Sequence, residues 1–315
     1  LTNEEQDINR SIDRENAEQS EVIAKVSEEI FESIYPDKKY KHSARYNFPY
    51  NQIVDGRYHR NVQGEELGVH ILTPYSEGSD DNSLRMRSSQ GHHVIVRLPE
   101  DATFLEECAK SIKISKFIHR EGARLSQSHP VIKAAKETEL AGINERVRVL
   151  LQEALRNADI YVGGEKAQLQ NRDPVARLNE ALGRQVGQLY HRLSDMQTAP
   201  ILKDIEDLLD DKRQVSFGLE GTTTANQAAL DDVLGFLNLN AQRHTKTTLK
   251  ALLDRYAKAP YGYVELDVQW LAASLFRQGK VLLSMNGEYL TLAGTEKNQL
   301  VRVVTRNEFR EKLVV

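Results

Sequence analysis

Apolar positions along the chain change their period several times, and each change predicts an element. Ile8, Ile12, Val22, Val26 and Ile30 recur at three-to-four spacing, with a polar gap between the two groups. That spacing predicts an acidic helix over 1–36 with one narrow apolar stripe, ended by Pro36. Between residues 40 and 100 the period falls to two. Ala44, Tyr46 and Phe48 alternate with polar neighbours, Leu67, Val69 and Ile71 alternate again, and Leu84 with Met86, then Val94, Val96 and Leu98, suggest two further strands. Val54-Asp55-Gly56-Arg57 reads as a turn. These runs predict a small mixed or antiparallel sheet of roughly four strands. Asp101 then caps a helix whose buried stripe is Phe104, Leu105, Cys108, Ile112 and Phe117.

Helical period dominates residues 130–213. Ile143, Val147, Leu150, Leu151 and Leu155 line one helix, opened by Pro130. Ile160-Tyr161-Val162, Gly163-Gly164 and Ala167–Leu169 read as strand, turn and return strand. Asp173 and Pro174 open a second helix, in which Val175, Leu178, Leu182, Val186, Leu189 and Leu193 form a coiled-coil-like seam. Two long helices joined through a β-tip predict an antiparallel arm.

A Gly- and Thr-rich stretch follows. Beyond it, three apolar helical patterns precede Lys280–Met285, Asn286-Gly287 and Glu288–Leu292. Asn-Gly between alternating apolar residues is a strong hairpin signal, so the order helix, helix, helix, wing predicts a winged helix. The expected class is α+β and mostly helical. The expected parts are an acidic helix at 1–36, a small α/β sheet domain at 37–125, a helical hairpin arm with a β-hairpin tip at 126–213, a linker at 214–226 and a winged-helix domain at 227–315.

Composition changes this picture little. The chain has 315 residues, a net charge of −4 and 28% charged residues, which suits a water-exposed globular protein. No apolar run approaches the ~18 residues of a membrane span. A single cysteine, Cys108, excludes an internal disulfide framework, fits a reducing compartment and falls on a core stripe. The start at Leu1, without an initiator Met or a signal peptide, points to a piece of a longer protein.

The chemistry is sparse. There is no G-x-x-x-x-G-K-[ST], G-x-S-x-G, H-E-x-x-H or zinc-type cysteine pair. A hairpin turn accounts for Gly163-Gly164, and His92-His93 would point to opposite faces of a strand. Solvation or helix capping accounts for Asp80-Asp81, Asp210-Asp211 and Asp231-Asp232. No catalytic, metal or cofactor-binding residue is therefore expected in this stretch. One constellation suits nucleic acid: Lys38, Lys39, Lys41, Arg45, Arg57 and Arg60, interleaved with Tyr40, Tyr46, Phe48, Tyr50 and Tyr58. Cations hold a phosphate backbone and aromatics stack bases. Strand alternation offers a second account, with aromatics facing the core and cations facing water. In the winged helix, Glu265 and Asp267 open the third helix, where they would repel phosphates.

Several of these runs resemble a known family. Arg45-Tyr46-Asn47-Phe48 through Val54-Asp55-Gly56 is similar to BrxC, the large P-loop ATPase of bacterial BREX phage-defence systems. So are Val96-Arg97-Leu98-Pro99-Glu100-Asp101 with Phe104-Leu105-Glu106-Glu107, the helical stretch with Ile160-Tyr161-Val162, and Pro260-Tyr261-Gly262 with Gly279-Lys280. The resemblance covers most of the chain and its motifs are structural. It implies a cytoplasmic bacterial protein working with other BREX components and DNA. The Walker A sequence is missing, so ATP and magnesium would belong to a portion outside this stretch, and no ATP-contacting residue can be carried over. The expectation is a non-enzymatic scaffold for protein–protein assembly, with self-association and weak DNA contact as further expectations. The rival is a DNA-contacting module acting through 38–60 or the winged helix.

Overall fold

Two neighbouring residues with positive φ are what a two-residue hairpin turn requires, and the sequence supplies them at Asp55-Gly56 (φ 46° and 78°) and Asn286-Gly287 (φ 53° and 86°). Each turn joins two paired strands of one of the main sheets of a computed structural model that describes residues 3–212 and 225–315. The chain forms two compact units. The first comprises Leu1–His42 with Asn47–Gln188, and the second Ser43–Tyr46 with Leu189–Val315.

In the first unit, α1 (Asn3–Asp13) and α2 (Gln19–Glu28) run into a π-helical turn at Glu29–Ile34, where Tyr35 N donates to Ile30 O at 2.7 Å. The single helix expected over 1–36 is therefore divided. The polar gap in its stripe is the site of the break, and Glu18 opens α2 with its backbone N–H donating to the Glu21 carboxylate at 2.9 Å. Next come β1 (Lys39–Lys41), β2 (Asn47–Pro49), β3 (Asn51–Val54), β4 (Arg57–Arg60), β5 (Gly68–Leu72), α3 (Asp81–Gln90), β6 (His93–Arg97), α4 (Thr103–Ser128), α5 (Pro130–Arg156), β7 (Asp159–Val162), β8 (Glu165–Lys166) and α6 (Pro174–Leu189).

Strands β1 and β2 pair with each other alone, while six strands form the main sheet in the order β4-β3-β5-β6-β7-β8. The strands β3, β5 and β6 are parallel, β4 and β7 run antiparallel to them on the two sides, and β8 is antiparallel to β7. Every residue of β3 and β5 is buried, the pattern of strands covered on both faces. Alternation in 67–71 thus understated the burial, because polar His70 lies inside too.

Leu84 and Met86 do not form the expected strand. Asp80 caps a helix instead, accepting from Ser83 N at 3.0 Å. Leu84 and Ser88, one helical turn apart, are buried while Met86 is 58% exposed. Two apolar residues at spacing two were too few to fix the period. Leu84 joins Leu72, Ile95 and Tyr161 in a core cluster.

The helical arm also differs from expectation. It consists of α4 and α5, which pack along their lengths and are joined at His129, with Pro130 at the start of α5. The hairpin β7–β8 is no tip: β7 pairs with β6 and extends the six-stranded sheet. Aromatic and β-branched residues at 160–162 favoured a sheet partner over a free hairpin, which is marginal in water. The α6 seam is nonetheless buried at Leu178, Leu182 and Val186, and Tyr35 OH donates to Asn179 Oδ1 at 2.6 Å.

The second unit contains α7 (Leu202–Leu208), α8 (Gln227–Gln242), α9 (Leu249–Tyr256), α10 (Glu265–Arg277), β9 (Leu283–Met285), β10 (Glu288–Leu290), α11 (Lys297–Thr305) and β11 (Leu313–Val314). The expected linker at 214–226 falls almost wholly outside the described residues. Helices α8, α9 and α10 with the β9–β10 wing follow the winged-helix order read from the sequence. Thr248 caps α9, accepting from Ala251 N at 3.2 Å, and Gly279 ends α10 with φ 69°. The wing sheet has the order β10-β9-β11, and Thr248 bridges to Val314 beside β11. Overall the fold is α+β and mostly helical, with small sheets and a winged helix.

Candidate nucleic-acid interface

The cations expected to act together are distributed unevenly. Lys39 and Lys41 share one exposed face of β1, and Tyr40 between them points the other way. The Tyr40 ring lies against Gly183 of α6, so tightly that a Cβ there would meet its hydroxyl at 2.6 Å. Arg57 and Tyr58 are exposed on β4, an edge of the main sheet, with Tyr58 55% exposed. Arg60 Nη1 donates to Lys38 O at 2.6 Å. Both residues line a cleft of about 440 Å³ together with Phe31, Glu32, Gln52 and His59. His59 stacks on Phe31 at 5.6 Å between centroids and faces the Glu32 carboxylate at 3.4 Å. Tyr50 and Phe48 are buried. Alternation therefore sends Tyr40, Phe48 and Tyr50 inward while lysines face water, and leaves Tyr58 as the aromatic available for stacking.

Arg45 is set apart from these cations. It belongs to the second unit, where its guanidinium pairs with Asp267 and donates to Pro200 O at 2.7 Å. Tyr46 OH donates to the other Asp267 oxygen at 2.9 Å, and Val264 N donates to Oδ2 at 3.1 Å. Burial pushes the Asp267 carboxyl above the ordinary carboxylate range, with the Tyr46 hydroxyl and Arg45 opposing that push. Asp267 stands in the first turn of α10, where a carboxylate complements the helix dipole.

This arrangement bears on DNA reading by the winged helix. A DNA-reading helix offers its N-terminal residues to base edges. Here Asp267, in the N-terminal turn of α10, is taken by Arg45 and Tyr46 of the same chain. Nine of its residues are buried, Asp267, Val268 and Gln269 among them, and the helix packs against α7, α8, α9 and α11. Glu265 is the exposed residue of the first turn and pairs with Arg310.

Other polar groups are structural as well. Asp232, expected to be solvated or capping, instead accepts from Tyr256 OH at 2.8 Å, Tyr261 OH at 2.9 Å and Arg192 Nη1 at 2.6 Å. Tyr256 at the end of α9 and Tyr261 beyond it are visible in the sequence, but their partner is 24 and 29 positions away. His70 Nε2 accepts from Gly56 N at 3.0 Å, and burial beside Arg87 pushes the imidazole down to about 4. Burial pushes the Cys108 thiol up to about 12, away from nucleophilic use. His92 faces Glu66 at 3.5 Å. Among the described residues no three His, Cys, Asp or Glu side chains converge on a common point, and no helix is long and apolar enough to cross a membrane.

Comparison with known families follows the division into units. A family model described as "BREX ATP-binding protein BrxC 4th domain with six-stranded beta sheet" matches residues 15–184. That span covers more than half of the chain and ends in α6, and its six-stranded sheet is the one built here from β4 to β8. The chain belongs to the BrxC family of BREX ATP-binding proteins. A second model, "BREX ATP-binding protein BrxC winged helix-turn-helix domain", matches residues 190–315 of this BrxC chain. No solved structure matches it. The full-length proteins of the BrxC family bind ATP, and the Walker A sequence is not within this stretch.

Proposed function

We propose that this part of BrxC is a non-catalytic scaffold that mediates protein–protein assembly within a BREX phage-defence complex, while ATP hydrolysis resides elsewhere in the protein. The observation that carries this reading is the state of α10. In its first turn Asp267 is taken by Arg45 and Tyr46, and nine of its 13 residues are buried. A helix so enclosed has little surface left for base edges. The acidic first turn works in the same direction.

A second reading has an observation in its favour. Lys38, Lys39, Lys41, Arg57 and Tyr58 are exposed in the first unit, which is the residue chemistry of a backbone contact.

The two readings separate in a gel-shift titration of the 315-residue chain with duplex and single-stranded DNA. The scaffold reading expects little binding at about 150 mM salt, where surface charges are screened beyond about 8 Å. Tight binding that falls steeply with salt, and that is lost when Lys38, Lys39, Lys41 and Arg57 are changed to Ser, would replace it with the DNA reading.

A further inference from the structure

The wing sheet has one face in the core and one in solvent. Leu283, Leu290 and Leu313 are buried on the inner face. On the outer face the register sets Tyr289 opposite Ser284 and Ser284 opposite Val314, and Thr248 bridges Val314 from the far side. Leu282, Lys312 and Lys246 lie just outside the paired residues, next to β9, β11 and the Thr248 bridge, and all three are exposed. Val315 N donates to Thr247 O at 2.9 Å, which keeps this last stretch aligned with β11.

Two properties distinguish the face. It displays an apolar strip, with Leu282 65% and Tyr289 70% exposed. It also has cations at its margin. Lys246 and Lys312 are exposed and make no ion pair among the described residues, while Glu288 of β10 shares the parity of buried Leu290.

We propose that this face docks an acidic, amphipathic segment of another protein chain. The proposal rests on the scaffold reading and supplies the chemistry of the partner. An apolar centre with a charged margin is the anatomy of a protein interface, and an exposed Tyr is a common anchor. Lys at the margin of this face, with Glu288 of β10 turned away, selects carboxylates. Nucleic acid suits the face less well, because successive bases need successive aromatic faces, whereas Tyr289 is flanked by aliphatic and hydroxyl side chains.

The test uses fluorescence anisotropy on the whole chain with three probes. One is a labelled peptide of alternating Leu and Glu with a central Tyr. The second carries Lys in place of Glu, and the third is an oligothymidylate. The wild type should bind the Glu peptide in preference to both other probes. Tyr289→Ser should weaken that binding at least about tenfold, the scale of one lost anchor. Lys246→Glu with Lys312→Glu should transfer the preference to the Lys peptide. Absence of Glu-peptide binding, or equal binding by wild type and Tyr289→Ser, overturns the proposal. If the Tyr289→Ser chain still co-purifies with the remaining BREX components, the scaffold reading survives that failure. Preference for the oligothymidylate overturns both.

Discussion

Changing Arg45 to Met removes the guanidinium from Asp267 and leaves a buried carboxylate with neutral donors only. Removing one partner of a buried ion pair costs about 3–5 kcal/mol. Two hydrogen bonds remain at Asp267, from Tyr46 OH at 2.9 Å and Val264 N at 3.1 Å. The Arg45 side chain is itself partly open to solvent. Both facts lower the expected cost to about 2–3 kcal/mol, since each hydrogen bond to a charged group retains roughly 1.5–3 kcal/mol. Trp270, the single tryptophan of the chain, lies on α10 three residues after Asp267, so its fluorescence in a urea titration reports this unit. Burial already raises the Asp267 carboxyl, and loss of Arg45 raises it further. A carboxyl whose folded value lies above its unfolded value binds protons on folding, so the penalty should be largest at neutral pH and should shrink as pH falls. Combining Arg45→Met with Asp267→Asn removes the uncompensated charge and should restore part of the loss. An unchanged midpoint, a penalty independent of pH, or a double variant no more stable than Arg45→Met would refute the account.

Two further outcomes follow from buried groups in the first unit. Burial holds His70 at about 4, below the ordinary imidazole value of about 6.5, so the unfolded chain takes up its proton first as pH falls. Stability should therefore be full above about 6.5 and lost between there and about 4, with roughly 2 kcal/mol gone by pH 5; a His70→Gln chain that shows the same acid loss would place the effect elsewhere. Leu182 is fully buried in α6, and Leu182→Ala should cost about 2–5 kcal/mol, read as a lower melting temperature by circular dichroism; no change would mean that the seam carries no packing.

The winged helix was legible because its signals are local. Asn286-Gly287, Gly279 and the three apolar periods each act within a few residues, and the structure keeps all of them. The main sheet was legible only in part. Its parallel core requires β3, β5 and β6 to meet across long connections, and no short-range pattern encodes that pairing. The α4–α5 pair was missed because Asp173-Pro174 gave the stronger start signal to α6, while the partner of a helix depends on tertiary packing. Of the six candidate cations, Lys38 and Arg60 come together through a backbone carbonyl, whereas Arg45 answers to a carboxylate 222 positions away. Glu265 and Asp267 look alike in sequence, as an acidic first turn, yet one is exposed and the other is buried.

Residues 43–46 count with the second unit although β1 and β2 on either side of them count with the first. The polypeptide therefore crosses between units three times rather than once. A cut near residue 189 looks natural from the family boundaries, yet it would strip the winged helix of Arg45 and Tyr46. The severed piece would keep Asp267 in its interior with no cation to face it. Dissection of BrxC by truncation would then report instability where there is only a missing four-residue graft, and supplying residues 43–46 in trans, as a short peptide, becomes the rational way to study the second unit by itself.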